Sequence, residues 1–112
     1  MAFSPLVDQQ RQQVFDLIKT ISKGKVATYK QIALHLGIKN PRLVGRILHT
    51  NPDSGQYPCH RVIRSDGRVA SGYAFGEQFG QIVRLREEGV VCLGGKIDLI
   101  RYKHTFGDEN QE

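Results

Sequence analysis

The sequence predicts an α/β, mostly α fold: a winged helix-turn-helix-like single domain with a short β-hairpin. Three observations carry that expectation. A chain of 112 residues, 39% hydrophobic and 24% charged, can build one hydrophobic core and not two. Two short helical patterns with strong start signals stand a few residues apart around a glycine. Past them, Val62-Ile63-Arg64 and Arg68-Val69-Ala70 flank the turn residues Ser65-Asp66-Gly67, as the two arms of a hairpin would.

The elements follow in order. Ser4-Pro5 opens the first helix as N-cap and first-turn proline. Val7, Val14, Leu17, Ile18 and Ile21 recur at helical spacing, and Ser22-Lys23-Gly24-Lys25 breaks the pattern. Val26-Ala27 reads as a short extended piece. Thr28 starts a second helix, with Gln31 three residues on completing a capping box. Ile32, Ala33 and Leu36 form its inner face, and Gly37 ends it. Asn40-Pro41 starts a third helix, which Asn51-Pro52 stops. Val44, Ile47 and Leu48 point inward there, and Arg42, Gly45, Arg46 and His49 outward. That is the pattern of a recognition helix, although a plain packed helical hairpin has the same periodicity. Ser71-Gly72-Tyr73 is a glycine-punctuated loop. A last helix runs from about Phe75 to Glu88, with Phe79, Ile82, Val83 and Leu85 as its apolar positions and Gly89 closing it. Val90 to Leu99, broken by Gly94-Gly95, is a further strand or hairpin. Residues 1–106 form the domain, and 107–112 a solvated, disordered acidic tail.

Charge narrows the partners. The net charge is +5, and without Asp108, Glu109 and Glu112 of the tail, 16 basic residues face 8 acidic ones, a net of +8. Such a balance suits a polyanion, most simply nucleic acid, although a generally basic surface would have the same composition. No apolar run approaches the ~20 residues a membrane helix needs, so no membrane partner is expected. The N-terminus has no signal-peptide pattern, and two cysteines make no disulfide framework. A reducing, cytoplasmic location is therefore expected, beside the nucleoid in a prokaryote. With no Cys-x-x-Cys or His-Glu-x-x-His spacing, neither a metal nor another cofactor is expected.

The chemistry concentrates at Pro58-Cys59-His60-Arg61-Val62-Ile63. A thiol attacks as its thiolate, and an unperturbed one is only ~3% ionised at pH 7. A neighbouring imidazole or a positive potential can correct that. If the segment is extended, Cys59 and His60 point to opposite faces, and the histidine must act through a water or at a bend. A buried, inert thiol is the alternative for an isolated cysteine.

This hexapeptide, followed by Arg64-Ser65-Asp66-Gly67 and Gly72-Tyr73, resembles the active-site signature of the O6-alkylguanine-DNA alkyltransferases. The likeness extends over roughly residues 10 to 100. Thr28-Tyr29-Lys30-Gln31-Ile32-Ala33 looks like the start of the family's first motif helix. Asn40-Pro41-Arg42-Leu43-Val44-Gly45 looks like its recognition helix, and Asn51-Pro52 like the asparagine hinge. The resemblance implies stoichiometric, irreversible transfer of an alkyl group from O6-alkylguanine in double-stranded DNA to Cys59, by a protein acting as a monomer. It implies minor-groove binding by the third helix through Arg42, Gly45 and Arg46, with Arg42 as the finger that fills the gap left by the flipped base. Tyr29 would support the extruded nucleotide and donate a proton toward it, and Asn51 would hold the active-site turn. Glu88, His60, a water and Cys59 would form the proton relay, while Gly72, Tyr73 and Ala74 would close over the base. Arg61 is expected to pack structurally or to pair with a carboxylate.

Two departures bear on this expectation. Many family members carry an extra N-terminal domain, and this chain is expected to act without one. Ala74 stands where many active members have serine. The Gly95-to-Tyr102 segment resembles the short alkyltransferase-like subgroup, non-catalytic lesion sensors that engage nucleotide excision repair. That subgroup usually has tryptophan in the cysteine position, and retention of Cys59 favours the transferase. A small helix-turn-helix DNA-binding protein with a structural cysteine is the remaining alternative.

Overall fold

The computed structural model of the chain describes residues 5–70 and 76–107. Its elements are α1 (Pro5–Ile18), β1 (Ala27–Thr28), α2 (Tyr29–Leu36), α3 (Pro41–Leu48), a 3-10 turn (Cys59–Arg61), β2 (Val62–Ile63), α4 (Glu77–Glu87), β3 (Cys92–Leu93), β4 (Lys96–Ile97) and α5 (Leu99–Tyr102). The expected N-cap Ser4, the expected loop Ser71-Gly72-Tyr73 with residues 74–75, and residues 108–112 lie outside the described residues.

The start signals act as their chemistry requires. Thr28 Oγ1 accepts from Gln31 N while Gln31 Oε1 accepts from Thr28 N, closing the capping box of α2. Gly37 ends that helix at φ 71°, where a side chain would be strained. Asn40 Oδ1 accepts from Arg42 N at the head of α3, with Pro41 in the first turn.

Two hydrophobic clusters form. One gathers Val14, Phe15, Ile18, Ile32, Val44 and Ile47 from α1, α2 and α3. The other gathers Val26, Ile63, Leu85, Val90, Ile97 and Tyr102. The parallel pair of β1 and β2, with Ala27 opposite Val62 and Thr28 opposite Ile63, is the wall between them. Alternate residues of a strand face opposite ways, so Ala27 and Val62 feed the first cluster while Val26 and Ile63 feed the second.

This arrangement corrects the expected hairpin. The turn at 64–68 forms, closed by Arg64 N to Arg68 O (2.9 Å) and Gly67 N to Arg64 O (2.9 Å). Val62 and Ile63, however, are buried on both faces, a burial that parallel pairing with β1 provides and an exposed hairpin arm would not. Arg68 bridges instead to Lys96, and Val69 N donates to Gly95 O, which turns Val69 into the second cluster. The expected hairpin around Gly94-Gly95 is present as β3 and β4, with Cys92 opposite Ile97.

The inner face of α4 is also different from the one expected. Phe79 is 78% exposed and Val83 is exposed as well, while Gln81 and Leu85 are completely buried. Of the four expected apolar positions Ile82 and Leu85 pack against the second cluster and Phe79 and Val83 do not, while Gln81 takes the inward place four residues before Leu85. The element following β4 is a short helix, α5, capped by Asp98 Oδ1 accepting from Ile100 N.

Candidate active site around Cys59

Pro58 sits at φ −78°, ψ 65°, the centre of an inverse γ-turn in which Cys59 N donates to Tyr57 O (2.8 Å). The chain then winds through the 3-10 turn Cys59–Arg61 before entering β2. The segment is therefore not extended at the cysteine. With about three residues per turn, Cys59, His60 and Arg61 leave the backbone in three directions rather than two.

Cys59 joins the first hydrophobic cluster and is buried. Its sulfur lies 3.1 Å from Asn51 Nδ2, whose amide also donates to Tyr57 O (2.8 Å), while Asn51 Oδ1 accepts from Asp53 N (2.9 Å). Asn51 thus ties the end of α3 to the turn before Cys59. Burial pushes the thiol's pKa up, and the Asn51 amide, the Arg84 charge and the backbone amide of Cys59 oppose that rise. The resting group is a thiol, and a thiolate has to be made by moving a proton.

His60 is buried against α4, with Nε2 3.0 Å from Glu88 Oε2. Nδ1 is buried with no hydrogen-bond partner among the described residues. Burial pulls the imidazole pKa down, Glu88 opposes this, and Arg84 and Arg61 add to it, so the ring is neutral at pH 7 and able to accept a proton.

Glu88 serves two partners. Arg61 reaches it with both arms, Nε to Oε1 at 2.9 Å and Nη2 to Oε2 at 2.7 Å, and donates through Nη1 to Ile21 O (2.8 Å). Burial would raise the Glu88 carboxyl, but the Arg61 and His60 contacts outweigh it and hold the pKa at about 2. Of the two roles expected for Arg61, the structure shows the carboxylate pair, and its partner is the acid expected behind His60.

Tyr29, the first residue of α2, approaches Gly45 of α3, where an added Cβ would stand 3.7 Å from the Tyr29 Cε1. Burial, with the nearby Cys59 thiolate second, raises its phenol to about 12, so it is a proton donor at neutral pH. Arg42 and Arg46, one helical turn apart, are exposed on α3, and Gly45 lies half-buried beside them. The structure thus brings together Tyr29, Asn51, Cys59, His60 and Glu88, with Gly45 against Tyr29. Gly72, Tyr73 and Ala74 lie outside the described residues.

Sequence reasoning missed two groups. Gln81 Nε2 donates to His60 O (3.0 Å) and Val62 O (2.8 Å), while its Oε1 accepts from Ala70 N (2.8 Å). Arg84, on the next turn of α4, acts electrostatically on both Cys59 and His60. The signal for both was their spacing from Glu88, at seven and four residues.

Among the described residues, no group of three or more His, Cys, Asp or Glu side chains could hold a metal ion, and no helix is long and apolar enough to cross a membrane.

A sequence model of the DNA-binding domain of 6-O-methylguanine DNA methyltransferase matches residues 9–90. A methylated-DNA–protein-cysteine methyltransferase of Saccharolobus islandicus is 45% identical over 80 residues, 71% of this chain and 50% of that protein. A bifunctional methyltransferase/endonuclease of Picrophilus torridus is 40% identical over 98 residues, 87% of this chain and 32% of that protein. The chain thus spans a third to a half of these curated relatives. Among solved structures, S. pombe Atl1 in complex with damaged DNA containing O6-carboxymethylguanine superposes with a TM-score of 0.80 at 29% identity. That match covers 95% of this chain and all of the other. The O6-methylguanine-DNA methyltransferase of Pyrococcus kodakaraensis gives 0.61 at 31% identity, covering 78% of this chain and 47% of that one.

Proposed function

This chain belongs to the 6-O-methylguanine DNA methyltransferase family, and from that premise we propose that it repairs DNA by taking the alkyl group of O6-alkylguanine onto Cys59. The observation that supports this reading is the conjunction at the 3-10 turn: a cysteine sulfur held by Asn51, and next to it in the chain a histidine backed by an ionised carboxylate. A chain that only bound the lesion would have no use for a proton acceptor beside a thiol.

Neutral His60 accepts the Cys59 proton through a bridging water, at the ring nitrogen turned away from Glu88, and Glu88 stabilises the imidazolium that results. The thiolate attacks the alkyl carbon. The new S–C bond forms as the C–O6 bond breaks, and the electron pair of that bond stays with guanine. Tyr29 donates its proton toward the departing base and is reprotonated from His60. The thiol proton therefore ends on guanine and the alkyl group on sulfur. No step regenerates the thiol, so each chain acts once.

Guanine O6 lies inside the base pair, and attack requires a flipped nucleotide, at a cost of a few kcal/mol. Arg42, exposed near the head of α3, is the side chain that fills the gap, with Arg46 against a phosphate and Gly45 allowing close approach of the helix. Gly72, Tyr73 and Ala74 would cover the base. A duplex carrying O6-methylguanine, treated with excess protein and digested to nucleosides, should regain guanine with the wild type and not with Cys59→Ala. Retention of O6-methylguanine in both would overturn the proposal.

A second reading is favoured by one observation, the match to all of the Atl1 chain bound to damaged DNA. In that reading the protein binds the lesion, leaves it intact and attracts nucleotide excision repair proteins. The same nucleoside digest separates the two.

A further inference from the structure

Arg84 is not among the residues through which the family signature was read. It lies on α4 between two residues whose contacts with the active-site turn are direct. Gln81, three positions earlier, donates to the His60 carbonyl at 3.0 Å, and Glu88, four positions later, stands 3.0 Å from the His60 ring. Residues three and four apart lie on one face of a helix, so the stretch of α4 that carries Arg84 faces the Cys59–His60 turn. Arg84 is half-buried there, in contrast to Arg86, which is exposed and donates to Cys92 O (3.4 Å).

We propose that Arg84 is a positioning residue for the acceptor: its guanidinium supplies the positive charge that steadies the Cys59 thiolate while His60 holds the proton. The inference rests on the reading of Cys59 as the alkyl acceptor and deepens it. The titratable and charged groups around the pair are Tyr29 from α2, Arg61 beside them on the turn, and Arg84 and Glu88 from α4. Glu88 is already engaged by Arg61, and its negative charge favours the imidazolium rather than the thiolate. Arg61 sits on that carboxylate and bears on His60. Tyr29 becomes negative if it ionises and would oppose a thiolate. Arg84 acts on Cys59 together with the Asn51 amide, and it acts on His60 as well, where its charge disfavours the imidazolium. The labour is divided: Arg84 stabilises the deprotonated nucleophile, and Glu88 offsets the cost that the same cation imposes on the protonated base.

The test is the pH dependence of Cys59 alkylation by iodoacetamide in the whole protein, read from the mass of the Cys59 peptide, for wild type, Arg84→Met, Arg84→Lys and Arg86→Met. Losing a unit charge beside a buried thiol should move the half-maximal pH up by about one unit in Arg84→Met. Arg84→Lys should recover most of that shift, and Arg86→Met should leave the profile unchanged. Melting curves guard against a folding defect, and Arg84→Gln, which also removes the charge and should shift the profile equally, keeps the test open if Arg84→Met does not fold. An unshifted profile in a folded Arg84→Met, or an equal shift in Arg86→Met, would overturn the inference. Iodoacetamide needs neither DNA nor alkyl transfer from guanine. Failure of the transferase reading would therefore appear as unrepaired DNA with the wild type, independently of this profile.

Discussion

Replacing Glu88 by Gln perturbs the point where Arg61 and His60 converge. The substitution keeps the shape of the side chain and removes the charge that both partners use. Its cost can be worked out in two ways. The carboxyl falls from its ordinary 4.5 to about 2 in the folded protein. At ~1.4 kcal/mol per pH unit that is worth ~3.5 kcal/mol at most. The side chain is 12% exposed, and solvent screening brings the value nearer ~2 kcal/mol. Counting contacts gives a similar figure. A bidentate Arg61–carboxylate pair at 2.9 and 2.7 Å becomes one guanidinium–amide hydrogen bond, so about one charge-assisted bond is lost, which is worth ~1.5–3 kcal/mol. For a domain of this size, ~2 kcal/mol lowers the melting temperature by roughly 8 °C.

The sign of the pH dependence follows from the direction of the shift. A carboxyl whose folded pKa is depressed stabilises the protein above its unfolded value and loses that contribution as pH falls through the folded one. The gap in melting temperature between wild type and Glu88→Gln should therefore be full at pH 7 and close as pH drops from 4.5 toward 2. Thermal melting of both proteins across that interval is the assay. Equal stability at pH 7, or a gap that persists in acid, would refute the Arg61–Glu88–His60 account. In the same variant, a weaker base should raise the pH at which reaction with free O6-benzylguanine reaches half its maximal rate.

Two further outcomes follow. Arg42→Ala should impair repair of duplex DNA by about tenfold or more while leaving reaction with free O6-benzylguanine unchanged, because an exposed side chain on α3 can aid base extrusion but not sulfur chemistry. Equal losses on both substrates would remove Arg42 from the finger role. Gln81→Leu leaves Ala70 N, His60 O and Val62 O without their partner in a fully buried place, and should cost ~3 kcal/mol or more in urea unfolding. A loss under ~1 kcal/mol would mean that these groups find other partners.

What the sequence made legible was local chemistry. Thr28 with Gln31, and Asn40 with Pro41, announce α2 and α3, because a cap is settled by residues three or four apart. The pairing of β2 with β1 was not legible. Val62-Ile63 and Arg68-Val69 carry the marks of hairpin arms, and nothing local says that residue 62 meets residue 27 across two helices. The face of α4 was misread in part, for a related reason. Phe79 and Val83 outweigh Gln81 in any count of apolar residues. A glutamine goes inside only when tertiary structure supplies partners for its amide, as the His60 and Val62 carbonyls do here. The candidate site followed the same divide. Cys59 and His60 stood out as one distinctive motif, and Asn51, Tyr29 and Glu88 were reached through the family resemblance. That Arg61 would claim both oxygens of Glu88, 27 residues away, depends on how α4 lies against the 3-10 turn.

The central claim is that Cys59 carries the alkyl group away, and the mass of one peptide tests it most directly. The protein is incubated with an oligonucleotide duplex containing O6-methylguanine, digested, and its Cys59 peptide weighed. The account predicts a gain of one methylene's mass on that peptide, at a yield that stops at one methyl group per chain, and no gain on any peptide of Cys59→Ala. A Cys59 peptide of unchanged mass from protein that binds the methylated duplex tightly would contradict it.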